Sequence, residues 1–164
     1  MRPFDDRSFD AAMAVLSDHH WSDRLGGLRE LRRVGRRALI VQWNPAFRDA
    51  FWLARDLLPS FPHDGTEPWE EVRAALGATR EVAVPIPHDC RDGFLMAFWR
   101  RPEAFLDPVV RANISVFALL PPAEVDALVA NLRADLESGA WARRNADLLD
   151  RDELDLGYRV LVAE

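Results

Sequence analysis

Residues 9–43, FDAAMAVLSDHHWSDRLGGLRELRRVGRRALIVQW, decide the fold of this chain. Phe9 to Leu16 is a short, nearly continuous apolar run bounded by turn residues, which is the pattern of a strand buried on both faces. Asp23 is placed to cap a helix in which Leu25, Leu28, Leu31 and Val34 recur at helical spacing. Arg24, Arg29, Glu30, Arg32 and Arg33 fill its other side, and Gly35 stops it. Ala38 to Trp43 then reads as a second strand. Strand, helix and strand within about 35 residues predict a right-handed parallel crossover.

Outward from this unit, Phe47 to Leu58 predicts an aromatic-rich helix ending before Pro59. The polar loop SFPHDGTEP at 60–68 follows, and then a short amphipathic helix from Trp69 to Leu76 closed by Gly77. Arg80 to Pro87 alternates like a strand near a sheet edge, where proline is tolerated. Helical pieces are expected at 94–99, 108–120, 122–136 and 141–149, and strand character returns from Leu154 to Ala163. The order predicts a parallel α/β sheet of four strands whose last strand closes an edge. The reading is one domain, 1–164, with residues 93–150 as a helical, lid-like insertion.

Composition narrows the function. A chain of 164 residues has room for a sizeable core, and a hydrophobic share of 49% argues against disorder. The formal charge of -6 argues against non-specific attraction to nucleic acid or anionic lipid. All 21 basic side chains are arginine, so lysine-based covalent or base chemistry is excluded. The lone Cys90 cannot form an internal disulfide. With no signal peptide and no long apolar run, a cytoplasmic protein with no membrane partner is expected. No G-x-S-x-G elbow supports a hydrolase.

Four phrases carry a resemblance: PFDDRSFDAAMAVLSDHHWSD and RRALIVQWNPAF around the first helix, VPIPHDCRDGFLMAFWRRPEAFLDPVVRANISVFALL at 84–120, and ELDLGYRVLVA at 153–163. Together they resemble the C-terminal half of a class I S-adenosylmethionine-dependent methyltransferase of the type 11, small-molecule kind. The resemblance implies an incomplete Rossmann-like α/β fold, strands four to seven of a seven-stranded sheet. The family's glycine-rich cofactor loop and ribose-binding acidic residue belong to its first three strands. Here no G-x-G-x-G follows a strand, and the adjacent glycines Gly26 and Gly27 lie in a helix. Weak donor affinity, or none, is therefore expected of this chain alone.

The same resemblance assigns the candidate site. Val15, Leu16, Ser17 and His20, with Trp21 closing the loop, are expected to line the methionine side of S-adenosylmethionine at the end of the first strand. His19 is expected to be structural or solvent-facing. Trp43, Asn44, Trp52 and Phe94 are expected to face a small-molecule acceptor, with Trp43 and Trp52 equally readable as core. His88 is the base candidate by its chemistry, because an unperturbed imidazole titrates near neutrality. Arg100 is a lesser candidate for binding a carboxylate. No metal is expected, because adjacent histidines such as His19 and His20 should point apart and no further ligand cluster is spaced for coordination. The rival expectation is a non-catalytic remnant that binds or oligomerises through an apolar sheet side left bare.

Overall fold

The computed structural model describes residues 3–61, 69–77 and 79–164. In chain order its regular elements are β1 (Phe9–Val15), α1 (Arg24–Val34), β2 (Gly35–Trp43), α2 (Trp52–Asp56), α3 (Trp69–Leu76), β3 (Thr79–Ala83), β4 (Ile86–Pro87), α4 (Pro108–Ala112), α5 (Ser115–Leu119), α6 (Pro122–Glu137), α7 (Ala140–Arg144), β5 (Glu153–Leu154) and β6 (Tyr158–Ala163). They fall into two compact units. β1, α1, β2, α3, β3 and β6 make the first, and the remaining elements make the second.

The first unit is a four-stranded sheet of order β1-β2-β6-β3. β1 and β2 pair in parallel, as the crossover pattern requires, with Met13 opposite Leu39 and Val15 opposite Val41. The last strand departs from expectation. β6 is antiparallel to both neighbours and lies between β2 and β3, so the sheet is mixed and β3, not β6, is an edge. Chain order in a local pattern does not reveal insertion between two earlier strands, because that choice is made by long-range pairing.

Helix α1 follows from its ends. Asp23 accepts a hydrogen bond from the Gly26 amide at 2.8 Å, satisfying one of the donors a helix start leaves free. A side chain at Gly26 would collide with that capping carboxylate, and one at Gly27 would meet the Trp21 ring at 2.4 Å. Both glycines are thus needed for close approach. At the other end Gly35 is already extended and begins β2 without a loop.

Leu28 and Leu31 of α1 and Val72 and Leu76 of α3 pack on Ala14, Ala38, Ile40, Leu161 and Ala163 to form the core of this unit. Strand alternation then sends Met13, Val15, Leu39, Val41, Val160 and Val162 to the opposite face. That face is partly or fully exposed, with Met13 at 68% and Val15 at 51%. The expectation that β1 is buried on both faces is therefore corrected. β1 is an edge strand, and only Ala14 of its residues is buried.

The second unit has an aromatic core. Trp52 meets Trp141 with ring centroids 5.4 Å apart and Phe105 at 5.9 Å, both edge-on. Its indole N–H donates to the Trp99 carbonyl at 2.7 Å, and that of Trp99 donates to the Ile86 carbonyl at 3.0 Å. The expected strand at 80–87 is divided: β3 belongs to the first sheet, whereas β4 pairs with β5 in a two-stranded ribbon. Pro85 stands between them and has no N–H with which to extend a ladder. The expected helix from Phe47 shortens to α2, preceded by a 3-10 turn over Pro45–Ala50. Arg48 of that turn donates to the Ala54 and Leu58 carbonyls at 2.9 and 3.2 Å, capping α2 from outside. Most of the loop at 60–68 lies outside the described residues.

Candidate functional site

The first unit carries a pocket at the carboxyl ends of the parallel strands β1 and β2, where open α/β sheets place their ligands. The chain leaves β1 through Leu16, whose φ of 47° is rare for a residue with a side chain. Its amide donates to the Val41 carbonyl at 2.9 Å, so the turn is tied to β2. A 3-10 turn follows over Asp18–His20, closed by the Trp21 amide donating to the Asp18 carbonyl at 3.1 Å.

That turn drives Asp18 inward, where it is fully buried. Arg24, at the start of α1, donates from Nε to Asp18 Oδ2 at 2.8 Å, and the Gln42 carboxamide of β2 donates to the same oxygen. A buried carboxylate is tolerated only when paired in this way. Asp18 Oδ1 and Gln42 Oε1 remain buried without a donor among the described residues. The pairing ties the loop after β1 to both α1 and β2.

Leu16, His19, Arg24, Gln42, Trp43 and Pro45 line a cavity of about 190 Å³. His19 stands at its exposed rim. Desolvation, the neighbouring His20 and the Arg24 guanidinium hold its pKa below the ordinary imidazole value, with Asp18 opposing them. The two imidazoles do not point apart as expected: their centroids lie 4.0 Å from each other, with the rings tilted by 48°.

Of the residues expected to line a donor pocket, Leu16 lines this cavity, and His20 lies against His19 with its ring tilted by 48°. Ser17 contributes its carbonyl to the turn, accepting from the His20 amide at 3.0 Å. Val15 points to the exposed sheet face. Trp21 turns back against Gly27 and the helical core instead of closing the loop. Trp43 lines the cavity, and Asn44 ends β2 by accepting the Ala46 amide on its side chain at 3.0 Å.

The other candidates belong to the second unit. Trp52 is 1% exposed within that unit's aromatic core. Phe94 precedes a 3-10 turn at Leu95–Phe98, and the His88 amide donates to the Asp152 carbonyl at 2.8 Å. Arg100 donates to the Leu149 and Arg151 carbonyls and lies over the Trp99 ring, so its guanidinium serves the backbone. Among the described residues no group of three or more His, Cys, Asp or Glu could hold a metal ion.

Sequence reasoning missed Asp18, Arg24 and Gln42. A carboxylate directly after an apolar strand was the available signal for Asp18. Its partners are six and 24 residues away, and nothing local links them.

No family model matches the chain, and no curated protein does. A solved structure from Anabaena variabilis, named a "putative methyltransferase from antibiotic biosynthesis pathway", matches with a TM-score of 0.79 and 29% identity. The match covers 100% of this chain and 70% of that one. This chain has a methyltransferase-like fold. Among the described residues no helix is long and apolar enough to cross a membrane.

Proposed function

We propose that this chain takes part in S-adenosylmethionine-dependent methyl transfer to a small molecule, through the pocket at the ends of β1 and β2. The observation that carries the reading is the likeness to the Anabaena variabilis protein, over 100% of this chain and 70% of that one at 29% identity, together with the pocket at the strand ends.

The residues fit one end of such a donor. Its sulfonium is a cation that forms no hydrogen bonds, and the Trp43 indole and Leu16 side chain offer an apolar wall with an aromatic face. Arg24 does not oppose a cation there, because its charge is answered by Asp18 at 2.8 Å. A cavity of about 190 Å³ is smaller than the roughly 300 Å³ at which pockets for whole drug-sized ligands begin. It suits the methionine end alone.

The donor supplies an electrophilic methyl group, and the protein's part is to align the reactants and exclude water. Donor binding is the first requirement of the proposal. Calorimetry with S-adenosylmethionine and S-adenosylhomocysteine tests it. Heat at up to millimolar ligand is expected, and its complete absence would sink the enzyme reading.

A second reading is favoured by the exposed apolar face of the sheet. Met13, Val15 and the open edge of β1 suit association with a second copy, in a protein that binds without catalysing. A dimer by light scattering together with a null calorimetric result is its signature.

A further inference from the structure

We infer that Asp18 sets which charge the cavity at the ends of β1 and β2 accepts: by answering Arg24 from outside the lining, it keeps the cavity open to a cationic group. The inference deepens the methyl-transfer reading and rests on it for the identity of that cation, the donor's sulfonium.

Among the residues that line the cavity, Leu16, Trp43 and Pro45 are apolar or aromatic and Gln42 is neutral. At the rim, desolvation, His20 and Arg24 favour the neutral form of His19 over the opposing pull of Asp18. Arg24 is therefore the one permanent charge in the lining. Taken alone it would repel a sulfonium and attract an anion, and the apolar walls would strengthen both effects by lowering the local dielectric.

Asp18 removes that bias without touching the ligand. It does not line the cavity, and its side chain is fully buried, with Oδ2 at 2.8 Å from Arg24 Nε. Among the described residues it is the one carboxylate paired with Arg24. Gln42 donates to the same oxygen and carries no charge, so it fixes the carboxylate and leaves the balance to Asp18 and Arg24. With that pair neutral, the aromatic face of Trp43 tips the cavity toward a cation. Tying the loop after β1 to α1 does not by itself call for charges, because well-packed apolar side chains of similar volume often replace a buried ion pair at no cost. The charge on Asp18 has its use in the cavity beside Arg24.

The test compares ligands that differ by one methyl group and one charge, on the whole chain. Asp18→Asn keeps the shape and an acceptor for Arg24 and Gln42 while removing the charge, and Arg24→Gln removes the opposite charge. Calorimetry with S-adenosylmethionine and S-adenosylhomocysteine gives the ratio of their affinities. Asp18→Asn is expected to move that ratio at least about 10-fold against the sulfonium. Arg24→Gln is expected to move it the other way, and the double variant to bring it back. A loop merely displaced would weaken both ligands alike, with no recovery in the double variant, and that outcome would overturn the inference. If Asp18→Asn does not fold, Arg24→Gln alone decides, an unchanged ratio overturning the inference.

A second arm does not depend on the donor. Trimethylsulfonium and dimethyl sulfide are titrated into protein labelled with 15N at tryptophan, and Trp43→Phe identifies the Trp43 indole signal. Trimethylsulfonium is expected to shift that signal saturably. Asp18→Asn should weaken its binding at least about 10-fold relative to dimethyl sulfide. No response to trimethylsulfonium, or an unchanged preference in Asp18→Asn, would overturn the inference. Failure of the parent reading appears separately, as no heat with S-adenosylmethionine while the trimethylsulfonium result holds.

Discussion

The two faces of the four-stranded sheet are built from the same kinds of residue and have opposite fates. On one face Ala14, Ile40 and Leu161 disappear beneath α1 and α3, and Ile40 and Leu161 are 0% exposed. On the other, Met13, Val41 and Val160 stand one residue away on the same strands and remain partly or fully exposed. Composition does not distinguish them. The difference is the helical layer, so an apolar side chain in this sheet contributes stability according to what lies above it.

The sharpest way to break that comparison is on adjacent residues of β6. Leu161→Ala is expected to cost about 2–5 kcal/mol in urea unfolding, because it opens a cavity under two helices. Val160→Ala should cost about 1 kcal/mol or less. Equal losses would show that the second face is also covered.

A smaller effect is expected at the start of the covering layer. Asp23→Ala removes the cap of α1 and should cost about 0.5–2 kcal/mol. If the cost is negligible, helix–sheet packing alone holds α1 against its core.

The smallest change in stability is expected on the exposed face. Met13→Ser should stay within about 0.5 kcal/mol for the monomer. It should nevertheless weaken any self-association seen by light scattering, since it removes apolar area beside the open edge of β1. A dimer insensitive to Met13→Ser would place its interface elsewhere.

The candidate site shows the same division between local and distant causes. Leu16 and Trp43 could be read from their positions at strand ends, because a strand's limits are written in its own alternation and turn residues. Trp21 could not. Its ring was free to face the loop or the helix, and Gly27, six residues later, supplied the flat surface that decided the matter. Asp18 looked like one of several polar residues in a turn, and became the centre of a buried pairing only when Gln42 was brought beside it.

By itself the sequence determined the parallel crossover of β1, α1 and β2, the capped start of α1 at Asp23, and the long helix α6. Each depends on contacts a few residues apart, where periodicity and capping act directly. Only the tertiary structure decided that β6 enters between β2 and β3, that β1 is an exposed edge, and that Asp18, Arg24 and Gln42 meet. Those outcomes join residues far apart in the chain. They are fixed by which surfaces can be buried together, and no single stretch of sequence carries that information.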